Sequence, residues 1–255
     1  DSGGYEIGTE PDFSAPMRDE ADAEEWSESL LRAVYASWPR HLPSIFVSFD
    51  HPRRRRNVAE QVDEARELFA PHRHQMTCLL LKPETREQTT LDRALKTLLL
   101  DPSVVAAFEV LGFTEKELGR TALERMERIA FARRALDAAG VFVPIHVFGA
   151  LDPVSSALYF LAGAEIFDGL TWIRYAYRNG VCVYPANYAA LEMGIEFRDD
   201  IAKSNMLSQN LYGLQSMQQG MRDFHFTGDF EKLGIHADFY HRAYDRLQRK
   251  LSGGA

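Results

Sequence analysis

Short apolar runs alternate with longer segments of helical spacing along most of this chain. Residues 59–69 and 118–139 carry apolar side chains at i, i+3, i+4 and i+7, which predicts amphipathic helices. Residues 153–162 follow Asp152, an N-cap residue type, and begin with a proline, so they predict a third helix. The runs of strand length are 45–49, 76–81, 104–110, 141–147 and 165–170. This alternation predicts parallel βα units.

The pattern changes after Gly180, where we expect no further strands. Residues 208–224 and 238–251 have the spacing of helices that close the fold. We therefore predict a catalytic domain over residues 1–200 and a C-terminal helical segment over residues 201–255.

The composition limits the classes of protein to which this chain can belong. With 255 residues and 45% apolar content, the chain can bury the core of one large domain. No apolar run reaches 18 residues, so we expect no membrane partner. The net charge of -8 counts against broad nonspecific binding to nucleic acid but leaves room for a local basic groove. Cys78 and Cys182 form no CxxC pair, which suits a reducing cytoplasm.

A polar or backbone-permissive residue stands at the carboxyl end of each predicted strand. These residues are Asp50, Lys82, Gly112, Gly149 and Asp168. The carboxyl ends of parallel strands form the active-site face of a (β/α)8 TIM barrel, so the set predicts that fold class. A simpler interpretation is that strand ends are polar loops. That interpretation explains some of these five residues, but it explains poorly why two of them, Asp50 and Asp168, are carboxylates that end apolar runs.

Four segments resemble, in order and spacing, motifs of the tRNA-guanine transglycosylases, the queuine and archaeosine tRNA-ribosyltransferases. They are DSGGYE (1–6), SFDH (48–51), FEVLGFTEKE (108–117) and GAEIFDGLTWIRYAYRNG (163–180), with a weaker match at 210–224. The resemblance implies a TIM barrel in which the five runs are strands four to eight. On that reading we expect the first three strands to be missing from this sequence, and C-terminal helices to follow the barrel.

The resemblance also implies catalytic roles for two carboxylates. Asp168 matches the nucleophile that attacks C1′ of the sugar, and Asp1 matches the general acid/base that serves the exchanging base. A covalent sugar intermediate followed by a second displacement retains configuration, as in retaining glycosidases. The alternative for Asp168 is a turn residue, and for Asp1 a position in an unstructured end.

Base-binding positions follow from the same motifs. Asp50 matches the aspartate that accepts hydrogen bonds from a guanine-like edge, and Lys82 or a neighbour stands where the family has a glutamine. The other matched base-binding positions are Tyr5, Gly112, Phe113 and Phe148.

Two groups of arginines are candidates for nucleic-acid contact. Arg174 and Arg178 match the arginines that follow the nucleophile in the family. Arg53 and Arg54 open the basic run at 53–56, which follows Asp50 on the predicted active-site side. A charge run is also compatible with a solvated face, and the later arginines with the end of a solvated helix.

Some departures from the family bear on the pocket and on metal binding. Glu6 replaces a glutamine, the segment around Lys82 lacks the family's glycines, and His51-Pro52 replaces Glu-Cys. No cysteine follows Cys182, so the family's zinc cluster has no ligands here, and we predict no metal and no cofactor. We interpret the H-x-H at 72–74 as a surface feature.

Three functions stay open from the sequence. The first is exchange of guanine in tRNA for a 7-deazaguanine base. The second is the same chemistry on DNA, as in the family's DNA-modifying DpdA-type branch. The third is a noncatalytic partner subunit. Retention of Asp1, Asp50 and Asp168 together favours an enzyme, whereas the lost zinc ligands favour a subunit. A homodimer or a complex with a partner subunit is equally open.

Overall fold

The computed structural model describes residues 26–51 and 54–253. Two compact units divide the chain, and each is described by itself. The first unit runs up to Arg120 and includes Arg128–Val147, and the second contains Thr121–Glu127 and the chain from Phe148 onward. We predicted a boundary at residue 200 between a catalytic domain and a C-terminal helical segment. The division into compact units does not test that boundary, which stays a prediction.

The five predicted strands are all present, with altered bounds in four cases. They are β1 (Ile45–Val47), β2 (Met76–Leu81), β3 (Val110–Thr114), β4 (Ile145–Phe148) and β5 (Ile166–Phe167), and they form one sheet in that order. β1 pairs in parallel with β2, and β2 with β3. The described residues thus form a mixed α/β fold with a five-stranded parallel sheet. The described residues do not form a closed eight-stranded barrel, and such a barrel stays a prediction.

The helices of the first unit cover the apolar faces of its strands. They are α1 (Glu28–Ser37), α2 (Val58–Phe69), α3 (Asp92–Leu98) and α4 (Glu115–Leu118), and α5 (Ala122–Ala138) follows. Two 3-10 helices, Ala70–His72 and Pro102–Ala107, connect them to strands. β2 is buried from its second residue to its last, as expected of a parallel strand that is covered on both faces.

α2 shows why its sequence forms a helix. The Asn57 side chain accepts a hydrogen bond from Glu60 N, while the Glu60 carboxylate accepts one from Asn57 N. This capping box satisfies two backbone donors that a helix start leaves unpaired. Val62 and Leu68, at the predicted apolar positions, are buried. The helix predicted at 59–69 is therefore confirmed.

The third predicted strand, 104–110, is wrong over most of its length. A 3-10 helix covers Pro102–Ala107, because Asp101 accepts a hydrogen bond from Ser103 N and Pro102 suits the first helical position. The strand begins only at Val110, which is opposite Cys78 of β2. Gly112 therefore lies inside β3 and does not follow it.

The fourth predicted strand, 141–147, also begins later than expected. The guanidinium group of Arg133 donates hydrogen bonds to the carbonyl oxygens of Val141 and Val143. Those carbonyls are thereby satisfied by a helix side chain, and Pro144 has no N–H to donate. β4 starts at the next residue, Ile145.

The second unit consists mainly of helices. They are α6 (Pro153–Leu161), α7 (Thr171–Arg174), α8 (Pro185–Met193), α9 (Asp199–Thr227) and α10 (Ala237–Leu251), with a 3-10 helix at Phe230–Leu233. Asp152 caps α6 by accepting hydrogen bonds from Val154 N and Ser155 N, so this predicted N-cap is confirmed. Both predicted closing helices are present, and the first is longer than expected.

The prediction that strands end at Gly180 is wrong. β6 (Ala176–Arg178) and β7 (Val181–Val183) form an antiparallel hairpin. Asn179 and Gly180 connect them with φ angles of 50° and 72°. An Asn-Gly pair with both φ angles positive is the preferred two-residue hairpin turn, because its twist matches that of the flanking strands. The sequence carried this signal between two apolar segments.

None of the helices within 26–51 and 54–253 is long and apolar enough to cross a membrane.

His72, which we expected at the surface, is buried against Phe46 and Tyr35, and this burial lowers the pKa of its imidazole.

Candidate functional site

The predicted site residues fall into two sets, one in each unit. Asp50, Lys82, Gly112, Phe113 and Arg54 belong to the first unit, and Phe148, Asp168, Arg174 and Arg178 belong to the second. Asp1, Tyr5 and Arg53 lie outside the described residues.

Four charged side chains meet near the carboxyl ends of β1 and β2. We call Asp50, Arg55, Lys82 and Glu117 the charge cluster. Lys82 Nζ is 2.8 Å from Asp50 Oδ2 and 2.7 Å from Glu117 Oε2. The same ammonium donates a hydrogen bond of 2.9 Å to Thr114 Oγ1. Lys82 thus contacts two carboxylates and one hydroxyl group, although its contact with Glu117 Oε2 lacks hydrogen-bond geometry.

Arg55 completes the charge cluster from the loop after β1. Its Nη2 donates to Glu117 Oε1 at 2.9 Å, and its Nη1 lies 3.7 Å from Asp50 Oδ1. The four side chains are only 10% to 18% exposed. Two cations thus balance two carboxylates, which is the condition under which buried charges are tolerated.

Two acceptors in the charge cluster, Asp50 Oδ1 and Glu117 Oε2, make no hydrogen bond within the described chain. Asp50 Oδ1 and Arg55 Nη1 are buried, and neither makes a hydrogen bond within the described chain. The 3.7 Å between them is too long for a direct bond. A cavity of about 30 Å³ beside Arg55 and Lys82 is large enough for one water molecule. Asp50 Oδ1 therefore remains an acceptor without a hydrogen-bond donor among the described residues.

The basic run after Asp50 is largely used within the protein. Arg55 pairs with Glu117, and Arg56 Nε lies 2.7 Å from Glu64 Oε1. Arg54 is exposed. Within the described part of this run, residues 54–56, Arg54 is thus the exposed arginine, and its contact with a phosphate stays a prediction.

Gly112 and Phe113 are parts of the core of β3. Gly112 is opposite Leu80, and Phe113 is fully buried. The Phe113 side chain therefore serves packing, and contact of this backbone with a base stays a prediction.

In the second unit, Asp168 follows β5 directly. Its Oδ1 accepts a hydrogen bond of 2.9 Å from the backbone N–H of Gly149. Gly169 has a φ of 154°, and a Cβ there would lie 3.3 Å from Gly149 C and from Leu151. A side chain at 169 would therefore crowd the turn at Gly149, whose N–H orients the Asp168 carboxylate. Phe148, the last residue of β4, is buried.

The two later arginines differ in their surroundings. Arg174 is half-buried at the end of α7, and Arg178 ends β6, where its Nε lies 2.7 Å from Glu192 Oε1. Contact of either with nucleic acid stays a prediction.

Asn210 holds the segment that carries Arg174. It is fully buried in α9, and its Oδ1 accepts a hydrogen bond from Tyr177 N at 2.6 Å. Its Nδ2 donates to Trp172 O at 2.5 Å and to Tyr175 O at 2.7 Å. Three backbone groups of one segment are thus satisfied by a single side chain.

Sequence reasoning assigned no role to Asn210 or Glu117, although both lay inside segments that resembled the transglycosylases. An amide or a carboxylate in such a segment is a signal of a specific contact, but its partner cannot be read from the segment itself.

Cys182 lies partly buried in β7. Burial, with a contribution from Asp152, raises the pKa of its thiol to about 12, so the neutral thiol is favoured over the thiolate. Among residues 26–51 and 54–253, no three or more His, Cys, Asp and Glu side chains gather where they would hold a metal ion.

Neither models of known protein families nor curated proteins match this sequence.

Proposed function

We propose that this protein exchanges a guanine base in a nucleic acid for a 7-deazaguanine base through a covalent bond between Asp168 and the sugar. The observation that carries the proposal is the placement of Asp168. This carboxylate stands directly after a strand of a parallel sheet, with Oδ1 oriented by the Gly149 N–H. Such strand ends are where α/β folds place reacting groups.

The chemistry needs two displacements at one carbon. An Asp168 carboxylate oxygen attacks C1′, and the C1′–N9 bond breaks with its electron pair leaving on guanine, which then takes up a proton. Asp1 is the proton donor that the resemblance implies. The incoming base then loses its N9 proton and attacks C1′, and the bond to Asp168 breaks. Two inversions retain the configuration of the sugar.

The charge cluster supports recognition of a guanine-like edge. Asp50 Oδ1 offers an unused acceptor, and Lys82 offers only donors. The guanine edge presents N–H donors beside a carbonyl acceptor, so it complements this pair. Binding of the carbonyl acceptor then requires Lys82 Nζ to give up one of its three present contacts, which are with Asp50, Glu117 and Thr114. Arg54 and Arg174 would contact the polymer, which is tRNA in the first reading and DNA in the second.

One observation favours a noncatalytic partner subunit as a second candidate. Asp50 Oδ2 is already 2.8 Å from Lys82 Nζ, and the carboxylate is buried. A carboxylate whose charge is already neutralised by Lys82 is typical of an ion pair that stabilises the fold.

Transfer of labelled guanine separates these candidates. The natural full-length protein would be incubated with bulk tRNA, single-stranded DNA and duplex DNA. Asp168→Asn keeps the oxygen that accepts the Gly149 N–H but removes the nucleophile, and Asp199→Asn, at an exposed acid of the same unit, is the matched control.

Label in one polymer that is lost in Asp168→Asn and kept in Asp199→Asn supports the proposal and names the polymer. A folded protein that labels no polymer overturns base exchange and favours the partner subunit.

A further inference from the structure

A cavity of about 780 Å³ lies within the second unit, away from Asp168. The β6–β7 turn, α8, α9, α10 and the adjoining 3-10 helix form its walls. We call it the helical cavity. Its volume is in the range of about 300 to 1,000 Å³ that small-molecule sites occupy. Among the predicted site residues that the structure describes, Arg178 is the one that lines it.

One face of α9 supplies polar side chains to the helical cavity. Asn205, Gln209, Tyr212 and Ser216 line it at intervals of three and four residues, which places them along one helix face. Asn205 Oδ1 accepts a hydrogen bond from Tyr188, and this leaves the Asn205 NH₂ group as a donor. The side chains of Gln209 and Ser216 have no hydrogen bond within the described chain. The cavity is therefore rich in unused donors.

The charge of the lining favours an anion. Arg178 is paired with Glu192 at 2.7 Å, so these two charges balance. Lys232 also lines the cavity and forms no ion pair within residues 26–51 and 54–253. One ammonium group is thus left uncompensated, and a phosphate is a chemically suitable partner for it.

Tyr212 provides an open aromatic face. It is 64% exposed and contacts no other ring of the described residues. The neighbouring cavity residues Met217 and Met221 add an apolar wall. An exposed tyrosine beside hydrogen-bonding groups and a cation is a combination on which nucleobases stack.

We propose that the helical cavity binds one nucleotide. The base stacks on Tyr212 against Met217, Gln209 and Asn205 hydrogen-bond the base edge, and Lys232 contacts the phosphate. The nucleotide is either free or an unpaired residue of a nucleic-acid strand. This inference does not rest on base exchange, because Asp168 and Asp50 do not line the cavity.

Calorimetric titration of the natural full-length protein tests the proposal. The probes are AMP, GMP, CMP and UMP, the four corresponding nucleosides, and single-stranded RNA and DNA decamers. We expect removal of the phosphate to weaken binding by about tenfold or more, the equivalent of one charge-assisted contact. Saturable binding of a mononucleotide identifies a free nucleotide as the ligand, and binding of decamers alone identifies a residue of a strand.

Paired variants locate the bound nucleotide. Met217→Trp fills the helical cavity, and Gln218→Trp, at an exposed neighbour outside the lining, is its control. Lys232→Met removes the uncompensated charge, and Lys203→Met, at another exposed lysine, is its control. We expect Met217→Trp to abolish binding and Lys232→Met to weaken it about tenfold, with both controls unchanged.

Two results overturn the proposal. One is no binding of any probe to the folded protein, and the other is binding that Met217→Trp and Lys232→Met leave unchanged. Loss of guanine transfer with nucleotide binding intact would reject base exchange alone.

Discussion

The two units hold their candidate site residues in different ways. In the first unit, Asp50, Lys82, Glu117 and Arg55 are held by one another, with oppositely charged atoms 2.7 to 3.7 Å apart. In the second unit, the Asp168 carboxylate accepts a backbone N–H, and a neutral amide satisfies the backbone of the segment that follows.

Substitutions in the charge cluster and at Asp168 should therefore differ in how much they change the free energy of unfolding. Removing one charge from a buried group of four leaves its partners uncompensated, so a substitution there first costs stability. An isosteric change at Asp168 keeps the oxygen that accepts the Gly149 N–H, so we expect it to cost less stability. The four predictions below test this contrast, from the largest expected effect to the smallest.

Lys82→Met should cause the largest loss of stability. It leaves the carboxylates of Asp50 and Glu117 without their shared cation, and breaking a buried pair costs roughly 3 to 5 kcal/mol. Urea unfolding measures the free energy of unfolding. Adding Glu117→Gln should recover part of the loss, because the two residues act as a pair. If the losses of the two single variants simply add, the charge cluster is not one interdependent group.

Asn210→Leu should cost about 3 kcal/mol, because one N–H and two carbonyls lose their partner and each costs about 1 kcal/mol, the lower end of the range, where water reaches it in part. Asn187→Leu, at an exposed position of α8, is the control and should change stability little. Unfolding followed by tryptophan fluorescence measures both. Equal stability of the two variants would show that water replaces the Asn210 contacts.

Gly169→Ala should destabilise the protein by about 2 kcal/mol, since it combines an unfavourable positive φ with crowding at 3.3 Å against Gly149 and Leu151. Gly228→Ala is the control. Its φ is 68°, but no atom lies within 4 Å of the added Cβ. We expect this control to cost only about 1 kcal/mol, the ordinary cost of a side chain in the left-handed region. Thermal unfolding of both variants tests the crowding, and a larger loss at Gly228 would contradict the close approach beside Asp168.

Asp92→Asn should have the smallest effect, below about 1 kcal/mol, because the carboxylate is half-exposed. The hydrogen bonds from Arg128 hold the pKa of Asp92 below its ordinary value of 3.8. A lowered pKa in the folded state adds stability above pH 3.8, and this contribution is lost as the pH falls further. The difference from wild type, measured by urea unfolding from pH 7 to pH 2, should therefore shrink towards acid. A difference independent of pH would exclude this linkage.

The elements that the sequence determined are those specified by neighbouring residues. α2 follows from its apolar spacing, and α6 from Asp152 and Pro153. Helix caps and amphipathic faces are decided within a few residues, so they can be read locally. The position of Asp168 directly after an apolar strand was predictable for the same reason. The Asn-Gly turn of the hairpin was equally readable, although we expected no strand after it.

Only the tertiary structure decided which side chains meet. The start of β3 depends on its register against β2, where Val110 is opposite Cys78. That register places Thr114 and the following Glu117 beside Lys82, 32 and 35 positions earlier in the chain. Asn210 likewise reaches backbone groups more than 30 residues away. Such contacts form because strands pair and helices pack, and no local propensity specifies the partner across that distance.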